Sequence, residues 1–435
     1  MRFQFGAAAD LTPMSLNTQL LTLRSVIVAM AGVQLATAAS GTLVPLVFSE
    51  IGASQEAVSF AASAYSAGFL VGCFFVAKFI GDIGHIRAFA AAAAITTLAA
   101  LLFSLVSLTP ALILLRLLTG LATAGLFAIG DAWINETAEE STRGRVLSIY
   151  AIIIGLVSVG SQVFVVLTPD DVSKTFVFVA VIYCFIIIVI AITRSNPPET
   201  GSRADVRVAQ LMKNAPAAAL GIFAMGFVST NILSVAPYGA AQLGVETQDI
   251  ALMIGAIYLG RVLFQYPLGV LSDRIDRRIV ILITSLISVV VLVLMTILSD
   301  PKYADEPFDY LSFEFGVLIV LLLAFGGSLL ALYSLLVSHA LDRSEVTQFS
   351  STAVTMLFVW TIASVVGPIV VNGFTIVLGD NALFWVNLVV MLSYTIFLAI
   401  RIVFIEPVSD GERITHVDVV PTSTELAQTD LDAAQ

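Results

Sequence analysis

Two arginines lie inside long apolar runs: Arg116 within Ala111–Asn135 and Arg261 within Thr247–Leu271. A guanidinium is unfavourable against hydrocarbon, so each must face protein or water, where it can bind an anion or take part in proton coupling. Helical spacing puts Gly120, Thr123, Phe127 and Asp131 on the broad face of Arg116, and Tyr258 and Gln265 on the face of Arg261. An arginine held by neighbouring carbonyls, or by Gln265, is the plain structural alternative. No carboxylate stands near the middle of any run: Asp131 falls near one end, and Glu50, Glu56 and Asp249 near the other. The local potential is therefore expected to be positive, which favours an anionic or zwitterionic small molecule over a cation. Gln34, Thr37, Gln162, Asn231, Tyr238 and Trp360 could line the same space, though residues of these types equally serve helix packing.

A second group of charges forms a hinge, Gly269-Val-Leu-Ser-Asp273-Arg274-Ile-Asp-Arg277-Arg278, between two apolar runs. Gly269 permits close approach of two antiparallel helices. Asp273 can pair with an arginine or cap a helix, and Arg274, Arg277 and Arg278 suit a lipid surface. A degenerate copy lies near Ala77–Arg87, with Gly81 and Gly84 standing 192 residues before Asp273 and Asp276. In that copy the acid, Asp82, comes one position late, and His85 replaces a basic residue before Arg87. Asp131, Glu136, Arg143 and Arg145 fall at the same end of the neighbouring runs.

Composition dictates what must position these residues. The chain of 435 residues is 58% hydrophobic and 12% charged, against about 25% charged in a soluble domain. Windows of about 20 apolar residues recur along its length, each long enough to span a bilayer as a helix. Twelve spans are expected, from Leu23–Phe48 to Asn381–Ile405, with single spans over Ala215–Leu243 and Phe313–Ala340. Residues 1–22 read as a lead and 23–193 as one six-span half. Residues 194–214 read as a linker with Pro197, Pro198 and Gly201, and 215–405 as a second half. The linker's Val206–Lys213 reads as a brief surface helix. Residues 406–435 read as a disordered acidic tail. With both termini cytoplasmic, sixteen Lys and Arg, among them Arg2, Arg194 and Arg203, lie inside, against Lys174 and Lys302 outside. The acidic loop Ser299–Ser312 is then external. The first span lacks signal-peptide features and is expected to stay in the mature protein. Cys73 and Cys184 read as buried inert thiols.

No phosphate-cradling loop, nucleophile elbow or metal-spaced histidine pair occurs, so no enzyme site, cofactor, metal or nucleic-acid partner is expected. His85, His339 and His416 are scattered, and His339 reads as a cap or a solvated residue.

The hinge spacing Gly-x-Leu-x-Asp-Arg-x-x-Arg-Arg resembles the signature loop of the major facilitator superfamily, and Arg116 followed by Gly120 resembles its fourth-helix motif. Leu43-Val44-Pro45-Leu46, Gly84-His85-Ile86-Arg87, Arg143-Gly144-Arg145 and Gln265-Tyr-Pro-Leu-Gly269 look like the YcaD-like bacterial branch. The resemblance covers roughly Leu20–Ile405. It implies an all-α polytopic membrane protein of 12 transmembrane helices in two pseudo-symmetric six-helix halves. It further implies a monomer in the bacterial inner membrane that moves a small-molecule substrate by alternating access, coupled to protons or another ion. The hinge would be an inner gate latch. Asp82, Gly84 and Arg87 would join Asp131, Arg143 and Arg145 in a first-half charge cluster. A multidrug exporter, and a transporter-like sensor or assembly factor that moves nothing, remain open.

Overall fold

The computed structural model describes residues 16–139, 142–167, 171–193, 205–298, 313–406 and 413–416. Arg2, Arg194, Pro197, Pro198, Gly201, Arg203, the loop 299–312 with Lys302, and most of 406–435 lie outside the described residues.

Among the described residues, twelve helical units are long and apolar enough to cross a membrane. The first six are α1 (Leu16–Glu50), α2 (Gln55–Ile83), α3 (His85–Phe103), α4 (Thr109–Thr137), α5 (Arg143–Val166) and α6 (Val172–Ala191). A short helix, α7 (Val208–Asn214), precedes the second six. Of these, α8 (Pro216–Ser234) with α9 (Ala236–Gln242) makes one span, and α12 (Phe313–Leu329) with α13 (Leu332–Leu341) another. The remaining spans are α10 (Thr247–Arg274), α11 (Arg277–Leu298), α14 (Phe349–Leu378) and α15 (Ala382–Phe404). The span expected over Ala215–Leu243 is one crossing, interrupted only at Val235 between α8 and α9. Pro237 has no N–H to return to the preceding turn, so the helix restarts at Ala236.

Helix faces invert the pattern of a soluble protein. On α11, Ile279, Ile283, Leu286, Val290, Val293 and Ile297 are exposed at helical spacing, while Thr284, Ser285 and Ser288 are buried. The polar face turns to protein, where the Ser288 and Ser328 hydroxyls meet at 2.8 Å. An apolar stripe facing outward is what lipid requires.

The second and fourth spans of each half cross very closely. A Cβ on Gly68 would lie 2.0 Å from the Leu117 carbonyl oxygen, and one on Gly120 2.0 Å from that of Tyr65. In the second half a Cβ on Gly260 would lie 1.9 Å from the Leu323 oxygen, and one on Gly326 1.9 Å from that of Ile257. Gly68 and Gly260 are 192 residues apart, the same offset as the two hinges. The repeat therefore extends from the loops into the backbone crossings.

The halves meet along two pairs of helices. Ser63 of α2 donates to the Val365 carbonyl of α14 at 2.8 Å, and Phe74 meets Phe358 edge-on. Gly155 of α5 faces Val262 of α10, and Gly255 faces Gln162. At the end away from the hinges, Tyr238 donates to the Ala53 carbonyl at 2.8 Å and Gln242 to the Ser49 hydroxyl at 3.0 Å.

Candidate functional site

The interior site grows from the glycine crossing. Because Gly120 brings α4 onto α2, Arg116, one turn earlier, stacks on Tyr65, with its guanidinium carbon 4.2 Å from the ring centre. Arg116 is only 5% exposed and makes no ion pair among the described residues. Its Nε is buried without a hydrogen-bond acceptor. Tyr183 of α6 lies within electrostatic range of Arg116, and its hydroxyl meets Thr37 at 3.3 Å. Across the boundary, Tyr258 of α10 is within range of both Arg261 and Tyr65. A run of electrostatic neighbours, Arg116, Tyr65, Tyr258 and Arg261, thus crosses the boundary between the halves. Arg261 also donates to Gln265 at 3.1 Å, so part of its donor fork is already engaged. Trp360 packs against the hydrophobic cores of both halves, and its indole N–H is buried without an acceptor. The unmet groups on Arg116 and Trp360 are both donors, and a buried donor without an acceptor is unfavourable. An acceptor beside either group would satisfy it.

Other expected lining residues sit in helix contacts. Gln34 donates to Ser158 at 2.8 Å. Gln162 accepts from Thr42 at 3.0 Å and donates to the Ala38 carbonyl. Both therefore join α1 to α5. Asn231 donates to Asn387 of α15 at 3.0 Å, and both are fully buried. Tyr238 belongs to the contact with Ala53 at the far end. The sequence did not single out Tyr65, Tyr183 or Asn387. The first two lie at helical positions facing Arg116, but only the crossing geometry shows it.

The second-half hinge is an interlocked charge cluster. Arg277 is 2% exposed. It meets Asp342, at the end of α13, at 2.7 Å, Asp273 at 3.1 Å and the Ile414 carbonyl at 2.9 Å. Arg278 grips both oxygens of Asp276 and donates to the Ile405 carbonyl at 2.6 Å. Burial alone would raise the Asp276 carboxyl, but hydrogen bonds from Arg278 outweigh it and hold the group below its usual value. Burial pushes Asp342 upward despite Arg277 and the Ile414 N–H. Arg274 stays exposed and outside this network.

Residues 413–416 lie across the hinge as a strap. The Ile414 N–H reaches Asp342 at 3.0 Å, and the His416 N–H reaches Asp273 at 2.9 Å. The His416 ring sits 3.2 Å from the Ser338 hydroxyl and directly over Gly269. A Cβ at position 269 would lie 2.5 Å from His416 Cδ2. Hinge glycine and tail histidine are thus one contact, which treating 406–435 as a featureless tail conceals.

The first-half hinge departs from expectation. Asp82, Arg87 and Arg145 are exposed and make no ion pair among the described residues. Asp131 is buried and accepts from the Tyr150 hydroxyl at 2.8 Å, while Arg143 donates to the Ala138 carbonyl at 3.2 Å. Asp82, Arg87 and Arg145 therefore do not join Asp131 in an ion pair among the described residues. Gly84 keeps a structural task, since φ is +83° where α2 turns into α3. Two further expectations are corrected. Cys184 is exposed on α6. His339 is 3% exposed, neither solvated nor a helix cap in contact with water.

Twelve spans in two six-helix halves, closed by glycine crossings around interior arginines, define a polytopic transporter fold. The sequence model of the Major Facilitator Superfamily matches residues 26–216 and 218–426, and the chain belongs to that superfamily. It is 30% identical over 176 residues to the uncharacterized MFS-type transporter YfkF of Bacillus subtilis, a match covering 39% of this chain and 45% of that one. It is 22% identical over 370 residues to the uncharacterized MFS-type transporter YcaD of Salmonella arizonae, covering 84% of this chain and 91% of that one. Among solved structures, the nucleoside transporter NupG superposes with a TM-score of 0.70 at 14% identity, over 88% of this chain and 100% of that one. An inward-facing, occupied bacterial homolog of the human lysosomal transporter Spinster gives 0.69 at 13%, over 92% and 99%.

Proposed function

We propose that this chain is a secondary active transporter of a small anionic or zwitterionic solute, working by alternating access in the bacterial inner membrane as a monomer. The observation that carries the reading is Arg116: buried, stacked on Tyr65, and without a carboxylate partner among the described residues. A buried cation with no counter-charge is strongly unfavourable unless something completes it. A guest carboxylate or phosphate would do so, with Trp360 as a second donor and Arg261 approaching from the other half. Rocking of residues 23–193 against 215–405 about the 194–214 linker would then bring Arg116 and Arg261 together or apart around the guest.

Both termini are placed in the cytoplasm, because that orientation puts the Lys and Arg excess inside. In this reading the flow of protons or another ion down its gradient supplies the energy, as the name of one structural neighbour, the D-xylose–proton symporter (TM-score 0.65, 13% identity), says of that protein. The test is counterflow in liposomes across metabolite anions, amino acids, sugars and lipophilic cations. Saturable uptake of an anion by the wild-type protein, lost in Arg116→Ala, is expected. Cation uptake that survives Arg116→Ala would favour a multidrug exporter, and the absence of any flux would favour a non-transporting sensor.

A further inference from the structure

A narrow recess, with room inside for about one water molecule and open to its surroundings, lies at the hinge end of the second half. Arg278, His339, Arg343 and Arg401 contribute to its walls, and the first turn of α8 closes one side through Ala217. This recess lies at the end of the spans and is distinct from the Arg116–Arg261 interior.

Its charges do not cancel. Asp276 already neutralises Arg278. Arg343 and Arg401 make no ion pair among the described residues. Arg343 has only a long bond to the Glu406 carbonyl at 3.4 Å, and Arg401 lies 5.8 Å from the centre of the Phe397 ring. The three guanidiniums are close enough to act on one another: burial first, then Arg278 and Arg401, hold Arg343 below its usual value. His339 points the same way independently. It is 3% exposed, lines the recess, and makes no hydrogen bond among the described residues. At the start of α8 the first N–H groups have no acceptor within the helix, and the helix end carries partial positive charge.

The surroundings narrow the ligand. Val403 and Phe404, two and three residues beyond Arg401, are 77% and 80% exposed. Arginines at the mouth of a recess beside such an apolar rim match an amphiphile with an anionic head. Arginine forks suit phosphate oxygens, and basic recesses between spans accept phospholipid headgroups.

We propose that this recess binds a phosphate-bearing group, presented in the membrane as the phosphodiester of an anionic phospholipid. Arg343 and Arg401 supply the charge, His339 and the α8 N–H groups complete the donors, and the acyl chains lie along Val403 and Phe404. The proposal does not depend on what is transported, and its test uses no flux.

The experiment is thermal unfolding of the purified full chain in detergent, with added phosphatidylglycerol, phosphatidylcholine or inorganic phosphate. A ligand that binds the folded state raises its apparent Tm. Phosphatidylglycerol should raise the wild-type Tm by several degrees, phosphatidylcholine should not, and Arg343→Gln/Arg401→Gln should abolish the shift. Arg401→Gln alone, at a half-exposed helix end, serves if the double variant does not fold, and should at least halve the shift. Arg343→Lys/Arg401→Lys should keep part of it. If inorganic phosphate reproduces the shift in the wild type but not in the Gln variants, the same recess takes free phosphate. The proposal is overturned if the Gln variants retain the full phosphatidylglycerol shift, or if phosphatidylcholine stabilises the wild type equally.

Discussion

Arg277 and Asp342 form an ion pair at 2.7 Å with side chains 2% and 3% exposed, joining the α10–α11 hinge to the end of α13. Removing one partner of such a pair strands the other charge, which typically costs ~3–5 kcal/mol. Arg277→Met and Asp342→Leu should each lower the thermal midpoint strongly. The double substitution should recover part of the loss, because neither charge is then left alone. Additive losses in the double-mutant cycle would show that the pair is not coupled.

Gly269 and His416 make a second testable contact. Gly269→Ala places a methyl where the imidazole now sits. The strap should lift, and the amides of Ile414 and His416, bonded to Asp342 and Asp273, should lose protection in hydrogen exchange. His416→Ala in the same chain should restore protection at Ile414 by making room. Unchanged protection in Gly269→Ala would mean that the strap does not depend on this contact.

Asp276 predicts the acid response of the hinge. Its carboxyl is held below the ordinary 3.8, so the folded state binds its proton less readily than the unfolded chain does. Its contribution is therefore present above that value and lost as pH falls through the lower, folded value. Comparing wild type with Asp276→Asn by thermal unfolding, the wild-type advantage should be constant from about pH 7 to 5 and close only below about pH 4. An advantage that disappears above pH 5 would contradict the Arg278 grip on this carboxylate.

Much of this architecture is readable from the residues, because membrane helices obey length and polarity rules that act locally. The 192-residue offset between the hinges also falls on Gly68 and Gly260, so the hinge sequence carries information about a distant backbone crossing. Side-chain partners are less legible. Asp273 and Arg277 are four residues apart and pair within one turn, which spacing can suggest. Asp342 and Ile414 reach the same arginine from 65 and 137 residues away, and no local pattern encodes that. Asn231 looks like a cavity residue by spacing, and only the placement of α15 shows that it bonds Asn387. At the first hinge, Asp82 and Arg87 resemble latch residues in type, but the one-residue shift leaves them apart.

Gly120 should be intolerant of any side chain. Its Cβ would meet the Tyr65 carbonyl, a backbone atom that cannot rotate away. Overpacking of this kind costs about 1–3 kcal/mol, and it also moves α2 off Arg116. Gly120→Ala should therefore lower both the thermal midpoint and anion uptake. Gly125→Ala on the same helix, where the nearest atoms would lie 3.7 Å away, should change neither substantially. Equal effects at the two positions would argue against the close crossing as the support for Arg116.

Asp273 separates movement from recognition. Its carboxylate receives both the Arg277 guanidinium and the His416 N–H, yet it belongs to the hinge and not to the arginine-lined interior. Asp273→Asn keeps the shape of the side chain and removes the charge that two donors share. Arg277 retains Asp342, so the hinge should stay folded while its hold on the strap weakens. Transport rate in liposomes should change several-fold, whereas the Kd for the transported solute, measured by ligand-induced stabilisation, should stay within about twofold. A large loss of affinity with an unaltered rate would place Asp273 in the binding site and remove the distinction between a hinge that moves and arginines that recognise.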